Sequence, residues 1–229
     1  MCACAVGRRR HQRGWIALLL VALLVVGCGA SQPTTTFQPT DRSVTKGETT
    51  QWRFDTDPVG RLPAGATVFS GTWAVREEHD APSPPHALCQ TGTAEFPALS
   101  LSNNVYTDSV ITMRFKPISG KSDQAAGIIF RVQDKDNYYI LRANALESNV
   151  NLFIYQAGQR NLLKEGMAKV ITGQWQELRL EVTGSHMQGF LNGTLVVETT
   201  DTTYKAGKIG LWTKSDSVTC FDNTQVKAI

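Results

Sequence analysis

Helical periodicity is what this chain most lacks. No apolar run keeps a spacing of three and four over three turns, which excludes a helical bundle and the alternating strand–helix plan. Histidine is scarce: His11, His79, His86 and His186 are the four, and their spacing suits no metal site. There is no Gly-x-Ser-x-Gly elbow and no phosphate-cradling loop, which removes two common catalytic plans. An excess of charge is also missing. The formal net charge of +3 arises in residues 1–27, which hold Arg8, Arg9, Arg10 and Arg13 and no acid. The rest carries 19 basic against 20 acidic residues. A near-neutral body argues against nucleic acid as a partner.

What is present is a series of short strands separated by turn residues. Gly71–Arg76, His86–Thr91, Val110–Phe115, Val150–Tyr155, Trp175–Val182, Ile209–Thr213 and Ser217–Phe221 all read as strands. Gly, Pro, Asn and Asp stand between them, and Asn192-Gly193 is a strong hairpin-turn signal. About a dozen such strands without an internal repeat predict an all-β sandwich. A domain of this size buries about 70% of its unfolded surface and needs no metal or disulfide to fold.

The N-terminal segment reads as an address. A basic stretch precedes the apolar run Trp15–Val26, which is short for a membrane span. It ends in Val25-Val26-Gly27-Cys28, which resembles the lipobox of bacterial lipoprotein precursors. That resemblance implies attachment of a diacyl lipid to the Cys28 sulfur through a thioether, cleavage before Cys28, and anchoring by lipid in the bacterial cell envelope. The membrane would then be touched through that lipid alone. The alternative is an ordinary signal peptide or an uncleaved helix. Residues 1–27 are thus the expected signal peptide. Residues 28–50, rich in Thr, Pro, Gln and Gly, are the expected tether, and residues 51–229 the folded domain. Cys2 and Cys4 leave with the signal and Cys28 carries lipid. Cys89 and Cys220 remain, an even pair in an oxidising setting.

The stretch GIIFRVQDKDNYYILRANALE, residues 127–147, predicts a β-hairpin turning at Asp134-Lys135-Asp136. Strict alternation places Phe130, Val132, Tyr139, Leu141 and Ala143 on a core face. It places Ile129, Arg131, Gln133, Tyr138, Ile140, Arg142 and Asn144 on the other. Arg131, Tyr138, Arg142 and Asn144, on one strand face expected to be exposed, are therefore candidate ligand-binding residues; Trp212, out of register with Ile209 and Leu211, is a further candidate, with core packing as its alternative. Guanidinium forks and amides hydrogen-bond hydroxyls or carboxylates, and aromatic faces pack on sugar rings. The plainer alternative is that the arginines solubilise the face and pair with Glu147.

Three segments taken together carry a family resemblance: Gly71-Thr72-Trp73 with Val75; Asn137–Asn144; and Ile209–Thr213 followed by Val218–Asp222. The chain resembles bacterial extracellular domains of the concanavalin A-like lectin/glucanase superfamily, in the subgroup near family 16 glycosidase-like and 3-keto-disaccharide hydrolase domains. The resemblance implies a jelly-roll sandwich of two antiparallel sheets, with first and last strands adjacent and a glycan as the usual ligand. The Glu-x-Asp-x-x-Glu strand of retaining glucanases is absent, so their paired-carboxylate chemistry is not expected. No cofactor is expected to be required. Meeting terminal strands would gather Asp55, Asp57 and Asp222, candidates for a structural calcium; turn and strand-end hydrogen bonds are the alternative. The same fold makes the early and final strands neighbours, so Cys89 and Cys220 can face each other and bridge, against the alternative of two buried thiols. Three functions stay open. The first is a lipid-anchored, non-catalytic module binding a glycan or other polar surface ligand. The second is a hydrolase or lyase of a modified disaccharide, and the third a structural envelope protein.

Overall fold

The computed structural model describes residues 41–229, with no helix among them. The expected signal segment, Cys28 and most of the tether lie outside the described residues. The chain runs through β1 (Arg42–Ser43), β2 (Thr49–Trp52), β3 (Thr67–Ser70), β4 (Trp73–Glu77), β5 (His86–Gln90) and β6 (Ala98–Ser100). It continues through β7 (Asn104–Val105), β8 (Ser109–Ser119), β9 (Ala125–Asp134), β10 (Asn137–Asn144), β11 (Asn149–Gln156) and β12 (Gln159–Met167). β13 (Gln176–Thr183), β14 (His186–Leu191), β15 (Thr194–Thr200), β16 (Lys208–Trp212) and β17 (Val218–Ala228) complete it.

Two sheets result. One has seven strands in the order β12-β11-β10-β9-β16-β6-β3; the other runs β15-β14-β13-β8-β17-β5-β4, with β2 also paired to β17. All these pairings are antiparallel, and β2 meets β17 with Trp52 opposite Thr224. The all-β, concanavalin A-like jelly-roll sandwich implied by the resemblance is the fold observed. One boundary differs. The tether expected to reach residue 50 gives way earlier: β1 pairs in parallel with β7, and β2 starts at Thr49. Threonine-rich sequence suits a strand as well as a linker, and pairing partners decide.

The core follows from alternation. Ile111 and Met113 of β8 stand opposite Leu180 and Leu178 of β13, and with Phe115 and Val182 they pack in one cluster with Phe130, Tyr139 and Leu141. Full burial of each such side chain contributes about 1.5–3 kcal/mol. The hairpin turns read from sequence are present, with Asn192 at φ 48° and Gly193 at φ 81° between β14 and β15. Trp73 is buried against Phe221, ring centres 5.7 Å apart.

Cys89 and Cys220 stand directly opposite in the β5–β17 register and form a disulfide across 131 residues of chain. Closing a loop that long stabilises the fold by about 4–5 kcal/mol through the unfolded state. Lys116, buried beside it, holds Glu78 at 2.8 Å and Asp80 at 2.7 Å.

Candidate functional site

The predicted hairpin forms, as β9 and β10, but its faces do not follow strict alternation. Tyr139 pairs with Phe130 and Asn137 with Asp134, so Arg131, Val132 and Gln133 stand against Tyr138 alone. Arg131 adopts φ 48°, and the bulge reverses the phase of the strand. Val132 consequently joins the outer cluster with Ile129, Tyr138 and Ile140. Arg131 leaves that face. Its guanidinium, 4% exposed, donates to Gly184 O at 2.6 Å, Tyr204 O at 2.9 Å and Thr107 O at 3.3 Å. It borders a separate cavity of about 270 Å³ with Asp108, Asp201 and Tyr204. Arg131 is therefore a clamp on loops, not a member of the predicted ligand face.

The other four candidates do share the outer face of the seven-stranded sheet, away from the inter-sheet core. They are buried rather than exposed, which corrects the expectation of a solvated strand face. Trp212 sits over Gly127, where an added Cβ would meet its ring at 3.3 Å. Phe96, from the loop between β5 and β6, covers Trp212 at 5.7 Å, nearly parallel. That loop is fixed by Ala94 N to Ser215 O at 3.2 Å and Thr213 N to Pro97 O at 2.8 Å. Tyr138 is stacked under Tyr155 at 4.8 Å, and burial pushes its hydroxyl pKa up. Tyr138, Tyr155, Phe69, Phe96 and Glu95 help line a cleft of about 200 Å³, with Lys135 and Asp136 at its mouth.

Beside this aromatic floor lies a polar half. Arg142 donates to Glu147 at 2.6 Å and to Asn149 at 2.7 Å. Burial opposes ionisation of Glu147, yet the Asn149 hydrogen bond and the Arg142 charge hold its carboxyl below the usual range. The pairing with Glu147, the plainer reading of the sequence, is thus present. Asn144 donates to Asp123 at 2.5 Å and accepts from Leu146 N, while Lys214 pairs with Asp123 at 2.7 Å. Arg160 of β12 lies opposite Tyr155 and over three rings, 4.7 Å from Phe153, 5.0 Å from Phe96 and 5.7 Å from Trp212.

Sequence reasoning missed Arg160, Phe153, Tyr155 and Phe96. Alternation along Val150–Tyr155 could have placed Phe153 and Tyr155 opposite Ile140 and Tyr138. Phe96 had no local signal, because its place depends on a loop held by residues more than a hundred positions away.

The three aspartates occupy one neighbourhood but do not form a cation cage. Asp222 is fully buried, with Ser83 N and Asn223 N each at 2.6 Å from its oxygens. Burial raises its pKa to about 6; the two N–H donors oppose the rise and the Asp55 charge adds to it. Oxygens from Asp55, Asp57 and Asp222 do not all lie within 4.8 Å of one another. Among the described residues the one cluster meeting that distance, Glu78 with Cys89 and Cys220, is closed by the disulfide. The residues present do not fit a calcium ion as they stand.

A family model described as a 3-keto-alpha-glucoside-1,2-lyase-like domain matches residues 48–227. Among proteins of curated function, none has a matching sequence. Among solved structures, the carbohydrate-binding module CBM66 from Bacillus subtilis is 21% identical, with a TM-score of 0.62 over 72% of this chain and 96% of that one. Domain 4 of AbnA, a family 43 extracellular arabinanase from Geobacillus stearothermophilus solved with arabinotriose, is 15% identical, with a TM-score of 0.52 over 80% and 94%. A Bacillus licheniformis β-glucanase is 10% identical, with a TM-score of 0.53 over 81% and 100%. At these identities the likeness is one of fold.

Proposed function

Given that the chain belongs to the 3-keto-alpha-glucoside-1,2-lyase-like domain family, we propose that it is a glycan-binding module acting through the outer face of its seven-stranded sheet. The observation that carries this reading is the cleft beside Tyr155 and Phe96. Aromatic rings there meet Glu95, Lys135 and Asp136 within one concavity. Sugars need that combination, with C–H faces against rings and hydroxyls against charged or amide groups. The CBM66 module and the arabinanase domain with arabinotriose, both of this fold, support the class of ligand.

Binding without turnover is the reading we prefer. Glu147, the carboxyl of this face with a displaced pKa, is held below the usual range. That suits an ion-pair partner, whereas a general acid needs a raised value. The family's lyase-like description supports the second reading, cleavage of a modified disaccharide. We further propose that the module is carried on lipid at Cys28 in the bacterial envelope.

A glycan-array screen of the full chain, followed by titration of any hit, tests the site. Tyr155→Ala and Phe96→Ala should each weaken binding by about two- to twelvefold, since aromatic contacts of this kind contribute roughly 0.5–1.5 kcal/mol. Arg131→Ala should leave affinity unchanged while lowering the melting temperature. Unaltered affinity in both aromatic variants would place binding elsewhere. Release of a cleaved product from a hit would favour the lyase reading.

A further inference from the structure

Of the three cations Arg142, Lys214 and Arg160 on the outer face, two are paired with a carboxylate and one is not. Arg142 is closed by Glu147 at 2.6 Å and Lys214 by Asp123 at 2.7 Å. Arg160 has neither an ion pair nor a side-chain hydrogen bond among the described residues, and its buried Nη1 has no partner. The side chain is half-buried, with its guanidinium 4.7–5.7 Å from Phe153, Phe96 and Trp212. Rings on this scale of approach fix the plane of the fork, so little freedom remains to be lost on binding.

A sugar hydroxyl could accept one of those donors but would leave the positive charge uncompensated. A planar or tetrahedral oxyanion would answer both, through parallel charge-assisted hydrogen bonds. We propose that this face selects glycans bearing an anionic group, a carboxylate or a sulfate ester, and that Arg160 is the residue that reads it. The inference rests on the glycan-binding reading above. Neighbouring acids do not fill the role. Asp123 and Glu147 are committed to Lys214 and Arg142, and Glu95 is exposed on the rim of the cleft without a cation partner among the described residues.

The test is affinity electrophoresis of the full chain in gels containing acidic polysaccharides and their neutralised counterparts. Galacturonan, alginate and glucuronoxylan are each run against the carboxyl-reduced form, and carrageenan against the desulfated form. At least one acidic polymer should bind about tenfold or more tightly than its partner, and the pair that shows it separates carboxylate from sulfate. Arg160→Gln should erase the difference while keeping any binding to the neutral form. Arg160→Lys, which keeps the charge but not the fork, should fall between, and serves if the glutamine variant does not fold. Equal binding of acidic and neutral forms, or a preference that survives both substitutions, overturns the inference and leaves the glycan face intact. Failure to bind any polysaccharide, with no hit on the glycan array, overturns both.

Discussion

Asp222 shows how far one side chain can depart from its sequence role. It was a natural calcium candidate, yet its oxygens are taken by two backbone N–H groups in a buried bend of β17, where Asn223 adopts φ 43°. With a native pKa of about 6 and an unfolded value near 3.9, the native state binds more protons than the unfolded state between those limits. Its contribution to stability is therefore fully present below about pH 4 and lost as pH rises through about 6. Other carboxyls, such as Glu147 and Asp201, are held low and act in the opposite sense. The difference between wild type and Asp222→Asn isolates the group. Urea midpoints from pH 4 to 7 should show wild type losing stability relative to the variant. Parallel curves would refute the assignment.

At the scale of the element, β9 decides what the outer face contains. Alternation read locally recovered the hairpin, its turn and the placing of Tyr138, Arg142 and Asn144 on one face, because a two-residue period is written into each strand. It failed at Arg131, since a bulge depends on what pairs alongside and leaves no mark in hydrophobic pattern. Exposure was misjudged for a similar reason. The cover over Trp212 and Tyr138 comes from Phe96, Arg160 and Tyr155, assembled across distant strands. Gly127 is the tight point of the arrangement, with Leu141 O at 3.2 Å and Trp212 at 3.3 Å from where a Cβ would stand. Gly127→Val should cost about 1–3 kcal/mol by overpacking, and tilt the Trp212 ring. A guanidinium melt and the near-ultraviolet tryptophan dichroism check this. An unchanged spectrum with full stability would mean that the row is looser than described.

For the whole molecule, the sandwich was readable because strand spacing, turn residues and the closing Ile209–Asp222 segments all agree with one topology. The pairing of β1 with β7 and the early start of β2 were not readable, as polar strands differ from linkers mainly in having a partner. The address is a property of the whole chain too. If Cys28 carries lipid, Cys28→Ser should move the protein out of the membrane fraction or leave an unprocessed precursor. A variant matured and retained as wild type would refute the anchor.

β17, the final strand, occupies the interior of its sheet. It is paired along its length with β8 and, on its other side, first with β5 and then with β2. Synthesis delivers β17 after β2, β5 and β8, so the neighbour these three strands share arrives later than they do. β5 can pair with β4 before then, yet its other edge and the facing edge of β8 keep their backbone donors and acceptors unspent. In that interval the two edges are a template that a foreign strand could occupy in place of β17.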